Sequence, residues 1–196
     1  EKIDTNLMER NRWVAGLMTE RLQSGTALEH DTGDAHVAHF ISEQRPDVMI
    51  FLDDTDDFRQ RTQLPFELYD YAHKKIPWGD GQFDQAMLIT VLHHTDMIES
   101  MFDEINRTVK SGGQIILFEN TYTEGDEREK QLNAAFDWYF NAVIHESPLP
   151  LPFNHLSTTE WERFIKRKGF AIIEKKMLGK HKAIPVEHVI YVLQKA

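Results

Sequence analysis

A chain of 196 residues, 41% hydrophobic and 28% charged, has the length and apolar content to bury a sizeable core. Thirty-two acidic residues against 22 basic ones give a net charge of −10, which argues against an extended nucleic-acid or anionic-membrane surface built on clustered Lys and Arg. With no cysteine, disulfides and thiolate metal sites are excluded, and no apolar run reaches the ~18 residues of a membrane span or forms a signal-peptide core. The expectation is a cytoplasmic protein. The chain opens on Glu1 rather than methionine, as a trimmed or excised piece of a longer protein would.

In chain order, Ile3, Leu7, Val14, Leu17, Met18 and Leu22 recur at spacings of three and four. They predict a helix over 3–23, stopped by Gly25. A short strand, 26–28, enters the loop Glu29-His30-Asp31-Thr32-Gly33-Asp34-Ala35. A helix over about 36–44 ends before Pro46, because the residue preceding proline avoids the α region. VMIFLD (48–53) is a continuous apolar strand, as a sheet covered on both faces requires, and it runs into the acidic stretch DDTDD. PFELYD (65–70) predicts a third strand and residues 76–81 a turn-rich link. QAMLITVL (85–92) predicts a fourth strand, reaching His93-His94.

An amphipathic helix follows, then the turn Lys110-Ser111-Gly112-Gly113 and a fifth strand, QIILFE (114–119). Residues 121–157 carry no strand pattern. They hold an aromatic-rich helix over 131–144 and a proline-rich extended segment over 147–154. Ser157-Thr158-Thr159-Glu160 reads as a capping box opening a helix that ends at Gly169. Segments 170–178 and 186–195 predict two strands joined closely enough for an antiparallel pair. Alternating strand and helix over 26–120 implies an α/β, Rossmann-like, doubly wound sheet of seven strands. It is mostly parallel, with an antiparallel C-terminal hairpin strand. Strands 48–53, 26–28, 86–92 and 114–119 are expected side by side in that order, in a single domain over 1–196.

The run from LPFELYD through VLHHTD to the turn SGGQIILFE, with the acidic loop at 29–35, resembles class I S-adenosylmethionine-dependent methyltransferases of the small type-11-like kind. The resemblance covers nearly the whole chain and is weakest before residue 26. It implies methyl transfer from S-adenosylmethionine to a small or medium acceptor. The implied cofactor contacts are Glu29, Asp31 and Gly33 in the first loop, and Asp53 or Asp54 at the ribose. Asp70 and Tyr71, with Trp78 nearby, fall at adenine, and Thr90 along the methionine part.

His93 and His94 are candidates for a general base, since imidazole titrates near neutrality; Glu119 and Tyr122 are weaker ones. A helical cover over 121–169 is expected to roof the acceptor with Phe136, Trp138, Tyr139, Phe140, His145 and Phe153. Two departures stand out in the first loop, where the family has glycine or packs tightly: Asp31 and Ala35. They motivate an alternative, a pseudo-methyltransferase using the fold for another ligand, a metal or a protein. A third reading is a different reaction with the cofactor retained. A rival metal constellation, His30, Asp31, Asp34, His36 and His39, reads more simply as polar residues at a helix start, and no metal is assigned.

Overall fold

The computed structural model describes residues 2–55, 57, 59, 62–69, 75–144, 152, 154–181 and 184–195. Its centre is one seven-stranded sheet: β1 (Gly25–His30), β2 (Val48–Asp54), β3 (Phe66–Leu68), β4 (Phe83–Ile89), β5 (Val109–Thr121), β6 (Ala171–His181) and β7 (Ile184–Gln194). The spatial order is β3-β2-β1-β4-β5-β7-β6. Strands β3 to β5 are mutually parallel, and β7 runs antiparallel to both β5 and β6. The expected order of the four central strands and the closing hairpin are therefore both present.

Alternate residues of the buried strands point to opposite faces. Leu28, Leu88, Ile115 and Leu117 face one core layer, where Phe102 and Ile105 of α3 (Ile98–Thr108) meet Trp161 and Phe164 of α5 (Thr158–Arg167). Ala27, Ile50, Leu52, Met87 and Ile116 face the other layer, under Val14 and Met18 of α1 (Lys2–Thr19) and Val37 and Ile41 of α2 (His36–Gln44). The capping box holds: the Glu160 amide donates to Ser157 Oγ at 3.2 Å and the Ser157 amide to Glu160 Oε2 at 2.7 Å. The edge strand β6 is exposed along most of its length, and lysines 175, 176 and 180 keep that edge charged.

Several boundaries move. The first helix ends at Thr19, four residues before the expected end, and Gly25 begins β1 instead of terminating the helix. A Cβ at Gly25 would lie 2.5 Å from Asp84 Oδ2, so close strand approach explains that glycine. Strand β4 stops at Ile89 rather than Leu92, because Thr90 turns left-handed (φ 55°). Beyond it, the Val91 and Leu92 amides leave the ladder for Glu119 Oε1 at 3.1 and 2.8 Å. Strand β5 begins at Val109, so the expected turn at 110–113 is an irregularity inside a longer strand. The aromatic helix starts at Glu127 as α4 (Glu127–Trp138), capped by Asp126, and continues as a wider helical turn, Tyr139–Ile144.

Candidate functional site

Ligands of doubly wound sheets bind beyond the carboxyl ends of the strands, where strand order reverses. Here that point lies between β1 and β4. The chain leaves β1 through three left-handed residues, Asp31 (φ 56°), Gly33 (φ 60°) and Ala35 (φ 59°). The first and third are positions where most side chains resist this conformation. Aspartate tolerates it, and two strand-end carboxylates hold the loop. The Asp31 amide donates to Asp53 Oδ1 at 3.3 Å and the Gly33 amide to Asp54 Oδ2 at 2.7 Å. Glu29 is buried with Oε2 lacking a hydrogen bond among the described residues. Burial and the neighbouring Asp34 push its carboxyl up to about 8, against opposing contributions from Thr32 and Arg10.

Asp53 turns to the face opposite Glu29, where His30 Nδ1 donates to its Oδ1 at 2.5 Å. His30 Nε2 meets Met101 Sδ at 3.0 Å. Burial opposes charge on His30, but Asp53, with help from Asp31 and Asp54, raises its pKa overall. The charged ring, favoured chiefly by Asp53 beside it, also lies within electrostatic reach of Asp31. Asp53 Oδ2 keeps no hydrogen-bond partner among the described residues. Trp78 packs edge-on against Phe51 and Phe83, at 5.4 and 5.7 Å, as part of the core. Asp70, Tyr71, His145 and Phe153 lie outside the described residues.

Beyond β4, Thr90, His93 and His94 meet residues from two distant segments. His93 is buried, and its Nδ1 donates to Glu119 Oε2 at 2.6 Å. Its Nε2 faces Asp137 Oδ1 at 3.5 Å. Burial works against the charged ring, but Glu119 and Asp137 outweigh it and raise its pKa to about 10. His94 is more open, and its Nε2 donates to the same Asp137 oxygen at 3.0 Å. His155 stacks on His93 (ring centroids 4.6 Å, 26°) and is kept neutral by burial. The three histidines together hold the Asp137 carboxyl well below its usual range, despite its burial. Tyr122 turns elsewhere: its hydroxyl donates to Glu160 Oε2 at 3.2 Å.

Two adjoining cavities open over these groups and share Arg10, Thr90 and Phe140 in their walls. One, of about 150 Å³, lies over Glu29, Thr32, Gly33 and Asp34. The other, of about 90 Å³, is lined by His93, His94, Asn120, Asp137 and Asn141.

Arg10, Asp137 and His155 were not anticipated from sequence. Arg10 reaches in from α1, donates to Thr90 Oγ1 at 3.1 Å, and stands half-buried beside Glu29 and Asp34. Asp137 had a legible signal: Asn133, Asp137 and Asn141 recur every four residues, a polar stripe on one helix face. Asn133 and Asp137 are buried. The expected roofing aromatics divide accordingly. Phe136 and Phe140 line the smaller cavity, whereas Trp138 and Tyr139 are 53% and 48% exposed and point away.

The rival constellation does not assemble. His30 is engaged beneath the sheet, His36 pairs with Asp34 at 3.0 Å near the surface, and among the described residues the loop set brings no three ligand atoms together.

Residues 47–117 match the family model described as a methyltransferase domain. The chain is 28% identical over 92 residues, 46% of its length, to squalestatin tetraketide synthase clz2 of Cochliobolus lunatus, and spans only 3% of that protein. Among solved structures it resembles the YcgJ protein of Bacillus subtilis (TM-score 0.69, 14% identity, 92% of this chain and 97% of that one). It also resembles the Burkholderia thailandensis 1,6-didemethyltoxoflavin-N1-methyltransferase, solved with 1,6-didemethyltoxoflavin and S-adenosylhomocysteine (TM-score 0.66, 10% identity, 96% and 78% covered). The fold is that of the class I methyltransferases, and no described helix is long and apolar enough to cross a membrane.

Proposed function

We propose that this chain, which has the fold of class I methyltransferases and matches the methyltransferase-domain model over residues 47–117, is a methyltransferase that uses S-adenosylmethionine to methylate a small or medium acceptor. The observation that carries the reading is the pair of adjoining cavities at the switch point, joined through Arg10, Thr90 and Phe140. The cofactor supplies an electrophilic sulfonium methyl; the acceptor's lone pair forms the new bond as the C–S pair leaves with sulfur.

The larger cavity fits the amino-acid end of that cofactor by its donor set. Arg10, whose Nε has no hydrogen bond among the described residues, suits a carboxylate. Glu29 Oε2 and Thr32 Oγ1, likewise without partners, suit an ammonium group. Gly33 leaves open space where a side chain would stand. Asp31 lies within electrostatic reach of the charged His30 ring, which partly offsets its charge. We assign the ribose to the Asp53–Asp54 end of β2, with Asp70 and Tyr71 beyond it at adenine.

The smaller cavity takes the acceptor under the cover formed by 121–169. His94, oriented by Asp137, is placed to accept a proton from the acceptor. His93 orients rather than shuttles protons: Glu119 and Asp137 hold it from both sides. Alignment of acceptor and methyl supplies most of the acceleration in such a transfer.

Calorimetric titration with S-adenosylhomocysteine tests this. The parent should bind one equivalent. Arg10→Met should cost about 1.5–3 kcal/mol, as for a hydrogen bond to a charged group, or roughly 10- to 150-fold in Kd. Absence of binding by the parent would remove the reading and favour the pseudo-methyltransferase.

A further inference from the structure

We propose that His93, Asp137 and His155 form a mononuclear site for a divalent ion of the zinc type, with its open coordination position facing the acceptor cavity. The site itself stands on these three residues; its role in catalysis rests on the methyl-transfer reading.

The spacing favours an ion over a hydrogen-bonded network. Asp137 Oδ1 lies 3.5 Å from His93 Nε2, and Asp137 Oδ2 lies 3.6 Å from His155 Nε2. Zinc binds nitrogen and carboxylate oxygen at ~2.0–2.2 Å, so neighbouring ligands of a tetrahedral ion stand ~3.3–3.6 Å apart. The ligand atoms of all three residues fall within 4.8 Å of one another. A tilt of the stacked imidazoles brings the remaining histidine pair onto a common ion.

Burial makes the same case. The side chains of Asp137 and His155 are 5% and 1% exposed. Asp137 Oδ2 and both ring nitrogens of His155 nevertheless make no hydrogen bond among the described residues. Buried polar atoms without partners are rare and costly; one ion would satisfy Asp137 Oδ2 and His155 Nε2 together, leaving only Nδ1 on the other side of the ring. Glu119 and Asp137 bring two carboxylates to this cluster, whose charge a dication offsets.

The second layer is in place as well. Glu119 Oε1 is anchored by two backbone amides, and its Oε2 takes the His93 Nδ1 proton. This fixes the ring with Nε2 toward Asp137, the carboxylate–histidine–metal arrangement that orients metal ligands. Two imidazoles and one carboxylate suit a borderline ion such as Zn²⁺ better than Mg²⁺ or Ca²⁺. Three protein ligands with a fourth position open is the pattern of a catalytic site.

Two of the three ligands, His93 and Asp137, line the acceptor cavity with Asn120, Asn141 and His94, so an ion held by them would present its open position there. An acceptor with a phenol, enol or other acidic hydroxyl would bind there through oxygen. The ion lowers the pKa of that hydroxyl, its proton passes to His94, and the O–H electron pair remains on oxygen. One of its pairs then forms the O–CH₃ bond while the C–S pair leaves with sulfur. The substrate class is therefore a hydroxylated acceptor.

The test is calorimetric titration of chelator-treated protein with ZnCl₂, together with the visible spectrum of the Co²⁺-substituted protein. One ion per chain is expected, with a four- or five-coordinate Co²⁺ spectrum. Binding should be lost in Asp137→Asn and His155→Gln. Glu119→Gln, which changes only the partner of one ligand, should weaken it by ~10–100-fold. Circular dichroism accompanies each variant; should Asp137→Asn unfold, His155→Gln decides, since that ring makes no hydrogen bond to lose. No Zn²⁺ binding by the parent, or unchanged binding in His155→Gln, overturns the site. S-adenosylhomocysteine is titrated in parallel. Cofactor binding without zinc binding removes the metal and leaves methyl transfer standing; zinc binding without cofactor binding keeps the site and removes its role in methyl transfer.

Discussion

The two ends of the same sheet are built on opposite rules. At the amino edge, left-handed turns fall on glycines 25, 81 and 112. Buried amides there close on one another: Gln114 Nε2 donates to Gln85 Oε1 at 2.8 Å, and Gln85 Nε2 to the Gln23 carbonyl at 2.6 Å. At the carboxyl edge, left-handed turns also fall on Asp31, Ala35 and Thr90. Glu29, Thr32, Asp53, Asp137 and His155 all bury polar atoms without hydrogen-bond partners among the described residues; Glu29, Thr32 and Asp137 line the two cavities, whereas the unpartnered Trp78 Nε1 and Asn106 Oδ1 near the amino edge line neither. Backbone strain and unmet polar groups collect where a fold is shaped for a ligand, and the rest of the structure must stabilise them. The amino edge is built for stability and the carboxyl edge for binding.

The sharpest way to break that contrast is Glu119→Ala. Glu119 is the most completely satisfied group of the carboxyl edge, accepting from Val91, Leu92 and His93. Its loss leaves a buried imidazolium and two amides unpaired, which should cost about 3–5 kcal/mol in urea-unfolding stability. A cost under about 1 kcal/mol would mean that the strand-to-helix turn after β4 holds itself.

The next effect depends on pH. Burial and the neighbouring Asp34 raise the Glu29 carboxyl in the folded protein to about 8, from an ordinary value of 4.5. A raised acid pKa means that stability is full below the unfolded value and is lost as pH rises through the folded one. Between pH 5 and 8 the parent should therefore lose on the order of a few kcal/mol relative to Glu29→Gln. Parallel stability curves for the two proteins would remove the strain assigned to this carboxylate.

The smallest effects test the backbone alone. Gly112→Ala meets no atom within 4 Å but must adopt φ 74°, so it should destabilise by about 1 kcal/mol. Ala35→Gly relieves the same kind of strain at the other edge and should fall between neutral and about 1 kcal/mol stabilising in thermal unfolding. A gain above about 2 kcal/mol at Ala35, or no loss at Gly112, would overturn this reading of the two turns.

Most of the sheet was legible in the sequence because continuous apolar runs such as 48–53 suit a central strand, even though Met49 on one face stays exposed. The capping box and the order of β4, α3 and β5 were legible for similarly local reasons, whereas Gly25 and the 110–113 turn misled, because a glycine also marks close strand approach or an irregularity inside a strand. The site was legible only where its residues sit beside strands. Glu29, Gly33, His93, His94 and Glu119 fall at the carboxyl edge as expected. Arg10 and His155 escaped, because each enters the site from a segment whose own pattern gives no reason to single it out. Asp137 was hidden by the aromatic residues around it, although its four-residue spacing from Asn133 and Asn141 was there to be read. The expected strand end at Leu92 failed because a tertiary contact, Glu119 on two amides, competes with the ladder.

The first helix looks like an appendage in chain order, lying ahead of the first strand. Yet α1 supplies one wall of the larger cavity through Leu7, Arg10 and Asn11, and Val14, Leu17 and Met18 of one core layer. An expression boundary drawn at Gly25 would retain every strand and still yield a different object. One side of the sheet would keep α2 but lose the cover of α1, and the larger cavity would lose its wall at Leu7, Arg10 and Asn11. For this fold, the edge of the folding unit and the edge of the recognition unit are set by the same eighteen residues.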